Sequence, residues 1–410
     1  MKKIMILAGG NDQIALIQEL RSYFKGDVFI ILVDMSSNVK AVPYADKFMQ
    51  ISTMDKEAVL KAAREEKIDY ILTACGDQPL STMAYVSAQM NLPCYLSEND
   101  VMNLTNKLFM KQKMVENGIP TSPFVAINKN FVGSEFGHLS YPLVVKPVDS
   151  NGSKGVKKVE NERELGCCLE EAFKYSLSGD VIVEEFNEGE EVSIDVYVEG
   201  TDVKLLSVIS LKKIKQNKDS FTIVQSFYPP DFECNEEEIK DIAKKIVCAF
   251  SLKDTPLLIQ AIQTKDGIKV VEFSARMGGG SKFRSIETFS GVNIMNVYVN
   301  MVMGNKPHVE PSKLVNNASM SFVYSNPGKF VSLSGFDELV EQDIIKYYYT
   351  YKVPGTMIEK SNTSSDRIAG FMVVGNSADE VKQKISYANS VLKVLDENNC
   401  DIMKHDLYQL

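Results

Sequence analysis

The first hundred residues alternate short apolar runs with stretches in which apolar residues recur at helical spacing. The apolar runs are Ile4–Ala8, Val28–Val33, Tyr70–Ala74 and Pro93–Leu96. Uninterrupted runs of this length are typical of strands buried in a parallel sheet. Helical spacing is seen in Ile14, Ile17 and Leu20, and again in Val59, Ala62 and Ala63. Strand and helix in repetition predict a doubly wound sheet.

A glycine pair lies where the first predicted strand turns into a helix. Gly9-Gly10 follows that strand, and Asp34 ends the second one. A dinucleotide site would use such positions, but the sequence from Ala8 to Gln13 is not G-x-G-x-x-G. We therefore interpret the glycine pair as a tight turn rather than as a nicotinamide site.

The middle of the chain predicts a linker helix and a compact α+β module. The helix is capped by Asn99-Asp100, runs to Asn117 and is ended by Gly118. The module extends from Thr121 to Val198, and a capping box begins its helix at Asn161. Its predicted strands are Phe124–Ile127, Leu143–Val148, Lys157–Glu160 and Val181–Phe186.

The remaining residues predict a hairpin-rich region and then a smaller strand-rich unit. Leu257–Thr264 and Ile268–Phe273 flank Lys265-Asp266-Gly267, which suits a three-residue hairpin loop. Beyond residue 310, Ile344–Tyr351 and Arg367–Val374 predict strands. The expected division is 1–98, a linker at 99–120, then 121–198, 199–310 and 311–410, and 410 residues suit such a multidomain protein.

Composition narrows the class of protein. The chain has 45 Lys and Arg against 54 Asp and Glu, a formal charge of −9, which disfavours a nucleic-acid partner. No apolar run approaches the roughly 20 residues that span a bilayer, so no membrane partner is expected. Seven Cys without a Cys-x-x-Cys pair indicate reduced thiols and a cytoplasmic protein. With only three His, a zinc site or a serine triad has few residues available.

The predicted hairpin carries the most informative side chains. With a three-residue loop, Gln260 lies opposite Glu272, and Ser274 and Arg276 project on the same face. Oxygen donors beside a guanidinium suit a magnesium-bound phosphate. The alternative is a solvated polar face of an antiparallel hairpin. The glycines at 278–280 would allow close backbone approach to a ligand, or form a plain loop.

The middle module offers a second set of candidates. Lys146 lies on an otherwise apolar strand, where it either reaches outward to water or meets an anion. Asp149–Gly155 is a loop of small residues that could close over phosphates, or a plain hairpin turn. Glu184 and Glu185 end an apolar strand and Glu191 opens the next. These carboxylates could hold a nucleoside, or form a solvated acidic turn.

In this order, the motifs resemble the ATP-grasp superfamily of carboxylate–amine ligases over nearly the whole chain. The resemblance implies an amino-terminal pre-grasp domain, a small lid and a large grasp domain, with ATP and Mg²⁺ (or Mn²⁺) as cofactors. Arg276 would meet the acyl phosphate or the substrate carboxylate. The implied nucleotide-binding residues are Lys107, Lys146, Ser150, Gly152, Ser153, Gly155, Glu184, Glu185, Phe186 and Glu191, and the implied metal ligands are Gln260, Glu272 and Ser274.

Two positions depart from the family pattern. Gln260 stands where Glu is commoner, and Ser274 replaces the Asn of E-x-N-x-R. Both still present oxygen, so one metal ion remains expected while a second is less secure. Lys282 and Arg284 are the candidates for holding a second acidic group of the substrate, with exposed surface charges as the alternative, and Gly279 is a further substrate candidate.

The resemblance implies an ADP-forming ligase that joins a carboxylate, through an acyl phosphate, to an amine. Residues 318–374 look most like the L-amino-acid ligases and related biotin-carboxylase-like ligases. The alternatives are a carboxylase or purine-pathway ligase on the same scaffold, and a nucleotide-binding protein that has lost turnover. Small-molecule carboxylate and amine substrates are the expected partners, and a homodimer is expected by analogy alone.

Overall fold

The computed structural model describes residues 1–131, 136–149, 155–214, 222–359 and 363–408. Within these ranges the chain forms a four-stranded parallel sheet, a four-stranded antiparallel sheet and an eight-stranded antiparallel sheet, with two small two-stranded ribbons. None of the described helices is long and apolar enough to cross a membrane.

The first sheet has the order β3-β2-β1-β4 with every pairing parallel, so the doubly wound prediction is confirmed. The prediction of a strand at Pro93–Leu96 is wrong: these residues form no strand, and Leu96 packs into the core from a loop. Proline lacks the N–H that a central strand needs. The elements are β1 (Lys2–Leu7), α1 (Asn11–Tyr23), β2 (Val28–Asp34), β3 (Lys47–Gln50), α2 (Lys56–Glu66), β4 (Tyr70–Leu72) and α3 (Asp77–Met90).

The linker is two helices rather than the single one predicted, α4 (Glu98–Thr105) and α5 (Lys107–Glu116). Ser97 caps the first, and Asn106 interrupts the run because its side chain accepts the Phe109 N–H at 3.0 Å and starts a new helix. The break makes Lys107 the first residue of α5, at the edge of the candidate site.

The lid is an antiparallel sheet of order β5-β8-β6-β7, covered on one face by α6. Its core is apolar, with Leu143, Val145 and Val183 fully buried. The elements are β5 (Phe124–Asn128), β6 (Leu143–Pro147), β7 (Lys157–Val159), α6 (Glu162–Tyr175) and β8 (Asp180–Glu185).

The eight-stranded sheet has the order β13-β12-β9-β10-β11-β14-β19-β17. β9, expected at the end of the lid module, pairs with β10 and β12 here, and β14, β19 and β17 extend the same sheet past residue 310. Its strands are β9 (Glu190–Glu199), β10 (Asp202–Lys213), β11 (Ile223–Tyr228), β12 (Thr255–Thr264), β13 (Gly267–Ser274), β14 (Asn317–Val323), β17 (Tyr347–Thr350) and β19 (Ala369–Gly375).

Helices connect the eight-stranded sheet to the first unit, by which we mean residues 1–98 with the parallel sheet. α9 contacts α1, and the Tyr298 hydroxyl donates to the carbonyl of Thr73 at 2.8 Å. The remaining elements are α7 (Glu236–Ala249), α8 (Lys282–Ser290), α9 (Ile294–Val302), β15 (Gly328–Lys329), β16 (Ser332–Ser334), α10 (Phe336–Glu341), β18 (Met357–Ile358), α11 (Ala378–Val391) and β20 (Lys393–Leu395). The first unit and the large sheet therefore share a core.

The hairpin of β12 and β13 reaches the expected register by an unexpected route. Thr264 pairs with Gly267, so the loop has two residues and the three-residue prediction is wrong. Gly267 has a φ of +104°, which glycine adopts without strain. A bulge beside Ala261 then shifts the register by one residue and brings Gln260 opposite Glu272, as predicted.

Candidate active site

Three charged side chains meet in the interior where the lid joins the linker. The Lys146 ammonium on β6 lies 2.5 Å from Glu184 on β8. The Lys111 ammonium on α5 lies 2.5 Å from the second oxygen of the same carboxylate and donates to the Thr121 hydroxyl at 2.6 Å. The three side chains are buried, with at most 8% exposed. We call Lys111, Lys146 and Glu184 the lid triad.

The lid triad carries an excess of positive charge. Burial alone would raise the pKa of Glu184, but the two ammonium groups reverse this and lower that pKa to about 2. Burial lowers the pKa of Lys111 to about 8, against the attraction of Glu184. At neutral pH two cations thus share one carboxylate in a poorly solvated place, which suits a polyphosphate anion as the balancing charge.

A second cluster lies at the hairpin, in a cleft lined by side chains from α3, α5, β12 and β13. The Lys107 ammonium lies 3.6 Å from the Glu272 carboxylate. Glu272 also attracts Lys111 electrostatically, so the hairpin and the lid triad act on each other. The lining residues include Asp77, Lys107, Leu258, Gln260, Glu272, Ser274 and Arg276. The cleft thus brings the expected metal ligands together with one expected nucleotide lysine.

Arg276 binds a carboxylate of the protein itself. Its Nε and Nη2 atoms donate to the two oxygens of Asp77 at 2.7 and 2.8 Å, and its Nη1 donates to the Met277 carbonyl at 2.8 Å. Ser274 donates to the same carboxylate at 2.6 Å. Burial alone would raise the pKa of Asp77, but the guanidinium lowers it below its ordinary value.

Asp77 and Lys111 were not among the predicted site residues. Asp77 follows the end of β4 by a few residues, and the carboxyl end of a parallel strand is where α/β sheets bind ligands. Lys111 stands between Met110 and Met114 on the buried side of a helix, where an unpaired ammonium is costly. Both features can be seen in the sequence, but neither indicates which side chain pairs with Asp77 or with Lys111.

The donor atoms of the hairpin fit a hard divalent cation. Glu272 offers a carboxylate and Gln260 an amide oxygen, and the Ser274 oxygen keeps its lone pairs after donating to Asp77. Among the residues that the structure describes, no group of three or more His, Cys, Asp or Glu side chains could hold a metal ion. A cation here would take few protein ligands and complete its shell with water and phosphate oxygens, as Mg²⁺ does.

The other expected nucleotide residues lie around the lid. Glu185 accepts the Ser140 N–H at 2.9 Å, Glu191 is ion-paired with Lys213, and the Lys158 ammonium lies 4.3 Å above the Phe186 ring. Gly155 has a φ of +73°, and a Cβ there would meet Pro147 and Tyr175. Ser150, Gly152 and Ser153 lie outside the described residues.

Lys282, a candidate for binding the substrate, is paired with a carboxylate of the protein itself. Its ammonium lies 2.6 Å from Asp195 and 2.6 Å from the Ser193 hydroxyl, and Asp195 is 3% exposed. Because removing Lys282 from this pair would leave a buried carboxylate uncompensated, the lysine stabilises the fold. Gly278 is required beside it, since a Cβ there would lie 2.6 Å from the Lys282 side chain.

The other two substrate candidates differ from Lys282. Arg284 is exposed and lies over the Tyr347 ring, with 4.5 Å from its guanidinium carbon to the ring centre. Gly279 stands near Cys75, and a Cβ at Gly279 would lie 3.9 Å from that side chain. Both residues belong to the segment that follows Arg276, whose own side chain lines the cleft.

Comparison with known proteins finds a matching domain and solved structures of the same fold. Residues 139–284 match the family model of the ATP-grasp domain, a span that runs from the lid into α8. The structure of an L-amino acid ligase from Bacillus licheniformis superposes with a TM-score of 0.77 at 21% identity, covering 97% of this chain and 99% of that one. Residues 139–284 therefore carry an ATP-grasp domain, and the chain as a whole has the fold of ATP-grasp ligases, as the sequence predicted.

The matching curated proteins cover the chain to different extents. A D-alanine–D-alanine ligase of Clostridium beijerinckii is 35% identical over 104 residues, or 33% of its length. A phosphoribosylamine–glycine ligase of Caldanaerobacter subterraneus subsp. tengcongensis is 23% identical over 404 residues, 93% of this chain and 94% of that protein. An uncharacterized protein of Sinorhizobium fredii, y4rH, matches over 66% of its length at 22% identity.

Proposed function

We propose that this protein is an ADP-forming ligase that activates a carboxylate as an acyl phosphate and joins it to an amine, with an amino acid as one substrate. The observation that carries the proposal is that Lys107 and Lys111, one turn apart on α5, pair with Glu272 at the hairpin and with Glu184 in the lid triad, so that α5 joins the two charged groups. The lid triad supplies buried ammonium groups, and the cleft at the hairpin supplies carboxylate, amide and guanidinium groups.

The chemistry requires positioning and charge stabilisation rather than a protein nucleophile. A carboxylate oxygen attacks the γ-phosphorus of ATP, and ADP leaves. The amine nitrogen then attacks the acyl carbon, phosphate leaves, and the amine loses a proton. Fixed cations that offset charge on the transferring phosphoryl group account for most of the catalysis in such reactions.

Each cation of the lid triad and of the cleft has a role in this proposal. Lys146 and Lys111 balance the phosphate chain from the lid side, since their combined charge exceeds that of Glu184. Lys107, whose ammonium lies 3.6 Å from the Glu272 carboxylate, would bind a phosphate oxygen of ATP instead. Arg276 would bind the acyl phosphate while Asp77 holds its guanidinium in place.

Glu272, Gln260 and Ser274 are the residues that would hold Mg²⁺, with Mn²⁺ as an alternative of similar coordination. When bound, such a cation neutralises phosphate charge and orients the polyphosphate. Glu272 carries the only full negative charge among these three ligands, so it dominates the affinity of the site.

An amino-acid substrate is supported by the curated relatives. The names of the D-alanine–D-alanine ligase and the phosphoribosylamine–glycine ligase each contain an amino acid as a substrate. The carboxylase alternative rests on the sequence resemblance and has no such support from these two proteins. A homodimer and a cytoplasmic location remain predictions.

The test is ADP release from MgATP, measured with a panel of amino acids and with bicarbonate, on wild type and Glu272→Ala. We expect release stimulated by an amino-acid carboxylate and abolished in the variant. The matched control is Glu287→Ala, an exposed acid on α8, which should retain activity. Stimulation by bicarbonate alone would favour the carboxylase, and MgATP binding without release would favour a protein that has lost turnover.

A further inference from the structure

Three cations that the proposed reaction does not use lie near one short segment, residues 349–351, and the glycine-rich stretch that follows Arg276. Lys40 lies between β2 and β3, Arg284 lies on α8, and Arg367 lies two residues before β19. The end of β17 and the residue after it, Tyr349-Thr350-Tyr351, connect them. We call Lys40, Arg284 and Arg367 the tri-cation cluster.

Consecutive residues of this segment contact the first two cations. Arg284 lies over the Tyr347 ring and hydrogen-bonds to Tyr349. The Lys40 ammonium donates to the Thr350 carbonyl at 2.8 Å and also contacts the Thr350 hydroxyl. Asn11 donates to the same carbonyl at 2.9 Å. The first unit and the carboxyl-terminal strands therefore meet at this point.

Arg367 joins the cluster to the glycine-rich segment that follows Arg276. Its guanidinium carbon lies 3.6 Å from the centre of the Phe322 ring, and its Nε donates to the Tyr324 hydroxyl at 3.2 Å. A Cβ on Gly280 would lie 2.9 Å from its Nη1, and Tyr351 donates to the Gly280 carbonyl at 3.0 Å. Only a residue without a side chain allows the guanidinium to approach the backbone so closely.

No carboxylate of the described residues forms an ion pair with the cluster. Among the described residues, none of the three cations lies within the 4.0 Å ion-pair distance of a carboxylate. Lys40 and Arg367 are half-buried, and burial lowers the pKa of Lys40. The nearby Asp12 carboxylate is used elsewhere, since it accepts the Ser281 N–H at 3.1 Å. Partly buried cations without an anion are costly, so a bound anion would stabilise the cluster.

We propose that the tri-cation cluster binds an anionic group, a carboxylate or a phosphate monoester, of the amine substrate. This inference rests on the proposed function, in which Arg276 is occupied by the acyl phosphate. The nitrogen of the amine must stay free to attack, so the amine needs an anchor on another part of the molecule. The cluster supplies that anchor four residues along the chain from Arg276, at Gly280.

The test uses three two-carbon amines that differ only in their second group: ethanolamine, β-alanine and O-phosphoethanolamine. Each is titrated calorimetrically into the MgADP-loaded protein. We expect at least one anionic amine to bind about tenfold or more tightly than ethanolamine, because bonds to charged groups are worth this much. The tighter of the two anionic amines identifies carboxylate or phosphate chemistry.

Variants link the effect to the cluster. Arg284→Met and Arg367→Met remove charge but keep an apolar stem, and each should abolish most of the anionic advantage. Arg163→Met, at an exposed arginine on α6, should leave it unchanged. Equal binding of the three amines, or an advantage that survives in both cluster variants, would overturn the proposal. Arg284 is exposed, so its variant should fold even if that of Arg367 does not.

A failure here is distinguishable from a failure of the proposed function. MgADP binding and amino-acid-stimulated ADP release are measured separately on the same wild-type protein. If MgADP does not bind, the proposed function fails, and repeating the three titrations without nucleotide still reports on the cluster. If ADP release is normal while the amines bind alike, only the anchor is wrong.

Discussion

The carboxylate of Asp77 and the guanidinium of Arg276 form a two-point ion pair across 199 positions of sequence. Asp77 begins α3 in the parallel sheet, and Arg276 follows β13 in the large sheet. A guanidinium has five N–H groups, of which Asp77 and the Met277 carbonyl use three, leaving two for a ligand. Asp77 thus fixes the orientation of the guanidinium and of its two remaining N–H groups.

Replacing Asp77 with Asn should lower kcat for ADP release by about 10- to 100-fold, because the guanidinium loses its charged partner and its fixed orientation. The KM for ATP should change by less than about threefold, since Asp77 does not touch the nucleotide in the proposal. Steady-state kinetics check both values. Glu65→Gln, an exposed acid on α2, serves as control. A rise in KM with normal kcat would contradict the positioning role.

Replacing Lys146 with Met should raise the dissociation constant for MgATP about tenfold or more, because a buried ammonium beside the phosphates is lost. The fold should persist, since Lys111 still pairs with Glu184. Calorimetry gives the affinity, and circular dichroism monitors folding. Lys174→Met, at an exposed lysine of α6, should bind like wild type. Unchanged affinity in Lys146→Met would remove this lysine from the nucleotide site.

Glu184 should make stability depend on pH in the acid range. Its pKa falls from 4.5 to about 2 in the folded protein because two ammonium groups favour the charged form. The native state therefore holds fewer protons than the unfolded state between these values. The resulting stability, on the order of 3 kcal/mol, is present above about pH 4.5 and is lost as the pH falls toward about 2.

The comparison with Glu184→Gln isolates this contribution. Urea unfolding of both proteins across this pH range should show wild type more stable near neutrality, with the difference shrinking toward pH 2. Gln keeps the shape of the side chain but leaves the two lysines without a carboxylate. A difference that stays constant with pH would mean that the charge of Glu184 does not stabilise the fold.

Replacing Lys282 with Met should lower the free energy of unfolding by about 3–5 kcal/mol, because Asp195 would be left buried and unpaired. Lys245→Met is the matched control: it breaks an exposed ion pair with Asp241 and should change stability by less than about 1 kcal/mol. Urea unfolding measures both. A stable Lys282→Met protein with impaired turnover would instead return Lys282 to the substrate site.

The sequence predicted those parts of the site that depend on strand periodicity. Gln260, Glu272 and Ser274 share a face because side chains alternate along paired strands, and this held although the turn is one residue shorter than expected. The bulge that restores the register depends on cross-strand packing. Nothing in the local sequence around Ala261 indicated it.

Contacts between distant segments could not be predicted in the same way. The partner of Arg276 depends on how the first unit docks on the large sheet, and that docking is fixed by a shared core rather than by any motif. The partner of Lys282 was equally hidden, since Asp195 lies on a strand whose alternate residues are apolar on the opposite face. Asn106 shows that local structure can also be mispredicted, because its side chain caps a new helix and divides the single predicted helix in two.

The ion pair between Asp77 and Arg276 also constrains how such a protein can change over generations. A chimaera that took residues 1–98 from another protein of this fold would lose the partner of Arg276 unless the new segment carried an acidic residue at the position of Asp77. The amino-terminal segment and the region around Arg276 must therefore change together. A transplanted amino-terminal segment needs a compatible residue at the position of Asp77.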